Sequence, residues 1–132
     1  MNIINIAATD KTPKVTLNTE NNTFEMQGNS RPENVRDFFY PIIDDLKKYF
    51  EKLNEEKLEV KAITFNFKLD YFNSASAKFI SDILLIIQKY ANAGFNIKIY
   101  WYFDDGDDDM KEVGEDFSEM ISYPFNFIMV QR

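Results

Sequence analysis

Two serine hydroxyls stand close together where a predicted strand gives way to a predicted helix, in the sequence Asn73-Ser74-Ala75-Ser76. The first backbone N–H groups of a helix have no partners within it, and the helix dipole adds positive potential there. Those amides could therefore hold a phosphate on Ser74, and Lys78, one turn further on, could pair with it. Because such a phosphate adds about −1.5 to −2 charges, it could create or remove a docking surface.

The same junction also fits a purely structural interpretation. Asn and Ser are among the preferred residues for capping the start of a helix. On this interpretation Asn73 and its neighbours only close the first turn. The local sequence is compatible with both interpretations.

Two residue types that often carry catalysis, cysteine and histidine, are missing from the chain. It contains no cysteine and no histidine, which excludes disulfides, thiolate metal sites, cysteine nucleophiles and any Ser-His-Asp triad. An enzyme with this sequence would depend on carboxylates, Lys, Tyr or Ser alone. The net charge of −7 disfavours nucleic acid and anionic membrane surfaces, so a basic patch on a partner protein is a better ligand.

Neither a targeting segment nor a membrane span is evident. The first residues lack the basic stretch and apolar core of a signal peptide. The apolar run 83–87 is too short to cross a bilayer. We therefore expect a cytoplasmic protein with a single domain over residues 1–132.

An acidic segment, 104–109, is a candidate for binding a metal ion. Its glycine, Gly106, would occupy the sixth position of an EF-hand loop only if Trp101 stood first, where an oxygen ligand is required. We therefore interpret the segment as a solvated turn followed by a helix start, with no metal and no cofactor. Trp101 and its aromatic neighbours are interpreted as sheet packing.

Hydrophobic periodicity predicts the elements that position these residues. Helices are predicted over 33–54, from the 73–76 junction to about 92, and over 107–121. The long first helix is predicted to be capped by Ser30, with Pro32 and Glu33 in its first turn, and contains Pro41, a residue that can kink a helix. Strands are predicted over 3–8, 15–17, 24–28, 60–71, 95–103 and 125–130.

The predicted order is β-β-β-α-β-α-β-α-β, which is typical of an α/β fold with a mixed sheet packed by helices. Within this order, the unit 60–103 reads strand, helix, strand. Such a unit is expected to form a right-handed parallel crossover.

Several motifs resemble, in order along nearly the whole chain, the SiaC family of bacterial regulatory phosphoproteins. The matching segments are Thr12-Pro13, 28–34, Phe39-Tyr40-Pro41, 71–78, 101–104, 107–110 and 114–117. The family's junction usually reads Asn-Thr-Ser-Ser, so its phosphorylated threonine corresponds to Ser74. Ser76 is the alternative acceptor, and Tyr71, Asn73, Ala75 and Lys78 form the surroundings of the phosphosite.

The resemblance implies a STAS-like fold and a partner-switching role without catalysis. A Ser/Thr kinase would phosphorylate the protein and a PP2C-type phosphatase would reverse this. The dephosphorylated form would bind and activate a diguanylate cyclase, raising cyclic di-GMP and favouring biofilm.

Two other functions remain open at the level of sequence. The protein could act as an anti-sigma-factor antagonist that binds an anti-sigma kinase. Less favoured is a Mg²⁺-dependent hydrolase using the acids of 104–109, because a nucleophile, a base and a pocket are not evident.

Overall fold

The computed structural model describes residues 1–57 and 62–131, and within them the elements follow the predicted order. Val60, predicted to begin the fourth strand, lies outside the described residues. The helices are α1 (Val35–Glu55), α2 (Ser74–Asn92) and α3 (Asp108–Ile121). The strands are β1 (Asn2–Ile6), β2 (Lys14–Asn18), β3 (Thr23–Ser30), β4 (Ile63–Phe72), β5 (Ile97–Asp104) and β6 (Asn126–Val130).

The six strands form one mixed sheet in which spatial order follows chain order. The first three strands pair antiparallel, so β2 and β3 form a hairpin. From β3 to β6 every neighbouring pair is parallel. The predicted parallel arrangement of β4 and β5 is therefore confirmed.

The core lies between one face of this sheet and the helices. Along β4 the alternation is complete, with Ile63, Phe65 and Phe67 buried and the intervening polar residues only half-buried. Phe50 of α1 lies fully buried 6.2 Å from the Phe65 ring, measured between centroids. Burying one such side chain contributes about 1.5–3 kcal/mol, so this apolar face fixes the sheet register.

The predicted start of α1 was wrong. The helix is capped by Asn34, whose side-chain oxygen accepts a hydrogen bond from the Asp37 N–H at 3.1 Å. Ser30 is not a cap, because it ends β3 in register with Phe72 of β4 and is therefore extended. Residues 31–34 form the connection to α1, which continues through Pro41 as one helix.

None of the helices within the described residues has the length and hydropathy needed to cross a membrane.

Candidate functional site

The predicted junction between β4 and α2 is present at the expected residues. β4 ends at Phe72, Asn73 is the N-cap, and Ser74 is the first residue of α2. The Asn73 side-chain oxygen accepts a hydrogen bond from the Ser76 N–H at 2.8 Å. The capping interpretation of Asn73 is therefore confirmed, and it places Ser74 in the first turn of the helix.

The two candidate acceptor serines have opposite environments. Ser74 is exposed, and so are Ala75 and Lys78. Ser76 is fully buried. A kinase must reach the hydroxyl it modifies, so the environment favours Ser74 over Ser76.

Both hydrogen-bonding roles of the Ser76 hydroxyl are used inside the protein. It donates to the carbonyl oxygen of Ser30 at 3.1 Å and accepts from the Ser30 hydroxyl at 2.8 Å. The Asn73 N–H donates to the same carbonyl at 3.0 Å. The buried Ser30 and Ser76, together with the half-buried Asn73, thus form a cluster of hydrogen bonds, the serine clamp, that holds the start of α2 against the end of β3.

The serine clamp leads to a stability prediction. Replacing Ser76 by Ala leaves the buried Ser30 hydroxyl without its acceptor, which costs about 1–3 kcal/mol. We expect Ser76→Ala to lower the free energy of unfolding in urea by that amount. The matched control is Ser74→Ala on the same turn, expected to change it by no more than about 0.5 kcal/mol because the side chain is exposed. Equal effects of the two variants would contradict the clamp.

Lys78 and Tyr71 flank Ser74 on its two sides along the chain. The Lys78 ammonium lies 3.3 Å from a carboxylate oxygen of Asp82 and 4.7 Å from the centre of the Phe79 ring. Lys78 therefore pairs with Asp82 along the helix and not with Ser74. Tyr71 is 51% exposed and completes an accessible surface at the end of β4.

The acidic segment serves as the predicted turn and helix start. Gly106 adopts φ +87°, and the Asp107 carboxylate accepts a hydrogen bond from the Met110 N–H at 3.1 Å, capping α3. Asp108 and Asp109 lie in the first turn, where negative charge is favourable. Nowhere in residues 1–57 and 62–131 do three or more acidic side chains converge in a way that could hold a metal.

The sequence matches the family model of the SiaC family regulatory phosphoprotein over residues 6–130. The chain belongs to the SiaC family. A relative among curated proteins is an uncharacterized protein of Pseudomonas aeruginosa strain UCBPP-PA14, 28% identical over 125 residues, covering 95% of this chain and 94% of the relative. The predicted resemblance is thus confirmed.

Solved structures of the SiaC family share this fold. Apo-SiaC from Pseudomonas aeruginosa is 24% identical, with a TM-score of 0.80 and 98% of each chain covered. A second match is the crystal structure of the diguanylate cyclase SiaD in complex with its activator SiaC from the same organism. It has a TM-score of 0.82, 24% identity and coverage of 98% and 99%. The predicted α/β class and element order are confirmed.

One member of the site was missed at the level of sequence. Ser30 belongs to the motif 28–34 on which the family resemblance rests, but its position before a proline and an acidic residue indicated a helix cap. Only the parallel pairing of β3 with β4 reveals that it lies beside Ser76.

Proposed function

We propose that this chain is a phosphorylation-switched activator of a diguanylate cyclase. In this proposal the unphosphorylated form binds and activates the cyclase, and a Ser/Thr kinase releases it by phosphorylating Ser74. A PP2C-type phosphatase then restores binding. The observation that carries the proposal is the exposed hydroxyl of Ser74 on the first turn of α2, beside a second serine that is buried.

The surroundings of Ser74 suit the addition and removal of a phosphate. The first-turn amides of α2 and the positive end of its dipole favour an anion by about 0.3–1 kcal/mol at an exposed position. Lys78 is one helical turn away and its side chain is exposed, so it can turn from Asp82 to a phosphate. The serine clamp holds the first turn of α2 in place while the Ser74 hydroxyl is phosphorylated or dephosphorylated.

The identity of the partner comes from membership of the family. A SiaC from Pseudomonas aeruginosa is described as the activator of the diguanylate cyclase SiaD, with which it forms a complex. Family membership therefore favours a cyclase over an anti-sigma kinase as the partner of this chain. It also favours a regulatory role over catalysis.

Phosphopeptide mapping tests the assignment of the acceptor. The chain is incubated with ATP and the Ser/Thr kinase encoded beside its own gene, and the modified residue is located by mass spectrometry. We expect the label on Ser74, and none on Ser74→Ala. A label on Ser76, or undiminished labelling of Ser74→Ala, would contradict the assignment.

A phosphate at residue 74 is also expected to titrate abnormally. The second pKa of phosphoserine is ordinarily about 6, and the α2 amides together with Lys78 favour the dianion and lower that pKa. Chain carrying phosphoserine at position 74 can be titrated by ³¹P NMR. We expect Lys78→Met to raise the phosphate pKa and Lys89→Met, in the last turn of the same helix, to leave it unchanged. Identical values in both variants would exclude pairing by Lys78.

A further inference from the structure

β6 is the last strand of the sheet, and within residues 1–57 and 62–131 no strand pairs with its outer side. The Val130 carbonyl accepts a hydrogen bond from the Asp105 N–H at 2.8 Å, so the backbone polar groups of Val130 face β5. Because the backbone groups of successive strand residues face opposite sides, those of Phe127 and Met129 point outward. Each of these two residues therefore offers an N–H and a C=O to another strand.

This outer edge of β6 lacks the devices that usually keep a sheet from pairing with another chain. Those devices are charged side chains, proline and bulges. The β6 sequence Asn-Phe-Ile-Met-Val has no charge and no proline, its register with β5 has no bulge, and Met129 is 49% exposed. The register of β1, at the opposite edge, shifts between Asn2 and Ile4. A regular, uncharged edge is a site where an extended segment can add as a further strand.

The charge at the carboxyl end of β6 indicates what kind of segment fits this edge. A depression of about 530 Å³ adjoins it, lined by Asp104, Asp105, Val130 and Gln131. Residues 104–111 contain five aspartates and one lysine, so the potential there is negative and attracts a lysine or arginine. The net charge of −7 disfavours a second copy of this chain as the occupant.

The edge lies near Ser74. β4, β5 and β6 are parallel, so their carboxyl ends lie at the same end of the sheet. Ser74 follows the end of β4, and the acidic depression adjoins the end of β6. Neighbouring strands lie about 4.8 Å apart, so β4 and β6 are about 10 Å apart across the sheet. A protein that reaches the Ser74 hydroxyl can therefore contact β6 at the same time.

The surroundings of Ser74 give a kinase a reason to use a second contact. Residues 74–77 are two serines and two alanines, so the first turn of α2 has few groups that distinguish it from other helix starts. A phosphatase can recognise the phosphate itself, because that group brings about −2 charges and three acceptor oxygens. Recognition of the unmodified chain depends more on surfaces away from the hydroxyl.

We propose that the outer edge of β6 is a docking site for the Ser/Thr kinase that phosphorylates Ser74. An extended apolar segment of the kinase adds to the sheet as a further strand, with hydrogen bonds to Phe127 and Met129. A lysine or arginine of that segment lies over Asp104 and Asp105. The inference rests on the proposed function and adds to it a second recognition surface. A single added strand makes a small interface, which suits the transient contact between a kinase and its substrate.

The backbone part of the proposal is tested by the kinetics of phosphorylation, with ATP and the Ser/Thr kinase encoded beside the gene. Met129→Pro removes the outward N–H and keeps the bonds to β5, since proline is tolerated where the N–H of an edge strand faces solvent. We expect it to raise the KM for the chain about fivefold or more, with kcat within about twofold. Met129→Ala, the matched control, keeps the N–H and is expected to stay within about twofold in KM.

The charge part of the proposal is tested by reversing one carboxylate. Asp105→Lys places a positive charge where the segment carries its own, and is expected to raise the KM about fivefold or more. Glu56→Lys is the matched control, because this exposed residue follows the end of α1, away from the carboxyl ends of the strands. We expect its KM to stay within about twofold of the wild-type value.

Circular dichroism melting establishes that each variant is folded, and Asp105→Lys alone decides the matter if Met129→Pro does not fold. An unchanged KM in both variants, with the label still on Ser74, would overturn the docking site and leave the proposed function intact. Equal effects of Met129→Pro and Met129→Ala would also overturn strand addition. So would a wild-type dimer that becomes a monomer in Met129→Pro, because a second copy would then occupy the edge. If the kinase does not label Ser74, the proposed function fails and the docking site fails with it.

Discussion

Ser74→Asp is expected to bind the diguanylate cyclase at least tenfold more weakly than the wild-type chain, a loss of about 1.4 kcal/mol. The exposed hydroxyl stands on the first turn of α2, so a carboxylate at this position puts negative charge where a phosphate would put it. Ser74→Ala removes the acceptor without adding charge, and is expected to bind and activate the cyclase as the wild type does. Isothermal titration, together with the rate of cyclic di-GMP synthesis, measures both effects.

A second serine provides the control for the added charge. Ser122 is exposed at the end of α3, and its left-handed backbone is one that Asp tolerates. Ser122→Asp is expected to keep wild-type affinity. Equal affinities of Ser74→Asp and Ser74→Ala for the cyclase would exclude a switch at this residue.

Gly114→Ala is expected to lower the free energy of unfolding, although alanine is the better helix former. A Cβ atom at position 114 would lie 2.5 Å from Cδ1, 2.6 Å from Nε1 and 2.7 Å from Cγ of Trp101. The Trp101 ring is buried, and its Nε1 donates to the Met110 carbonyl at 2.9 Å, so it cannot easily move aside. Overpacking of this kind costs about 1–3 kcal/mol, which exceeds the gain in helix propensity of about 1 kcal/mol at the upper end.

A double-mutant cycle separates this contact from a general effect on α3. Trp101→Ala removes all three ring atoms that the new methyl group would meet, Cδ1, Nε1 and Cγ, so Gly114→Ala should cost less in that background than in the wild type. Glu112→Ala, at an exposed position of the same helix, is the control for propensity. Urea unfolding of the four proteins gives the coupling energy. Additive effects in the cycle, or an unfolding free energy that rises in Gly114→Ala, would contradict close packing between α3 and β5.

Hydrophobic periodicity was sufficient to predict the order of the elements. In β4 and β5 the buried residues alternate with less buried ones, and in α2 they recur at helical spacing. Each of these patterns fits only one type of secondary structure. The helix start at Ser74 was also predictable, because Asn73 and the change of period fall together. The start of α1 was not, since both Ser30 and Asn34 have side chains that can cap a helix.

Contacts between distant segments could not be predicted from these patterns. Ser30 and Ser76 are 46 residues apart, and they meet only because β3 and β4 pair in parallel with Ser30 opposite Phe72. No local periodicity encodes that register.

The most direct test is a titration of the cyclase with chain that carries phosphoserine at position 74, installed by genetic code expansion, alongside the unmodified chain. We predict that the unmodified chain binds and activates the cyclase, and that the phosphorylated chain does neither until a PP2C-type phosphatase removes the phosphate. Binding of the phosphorylated chain with unchanged affinity would contradict the account.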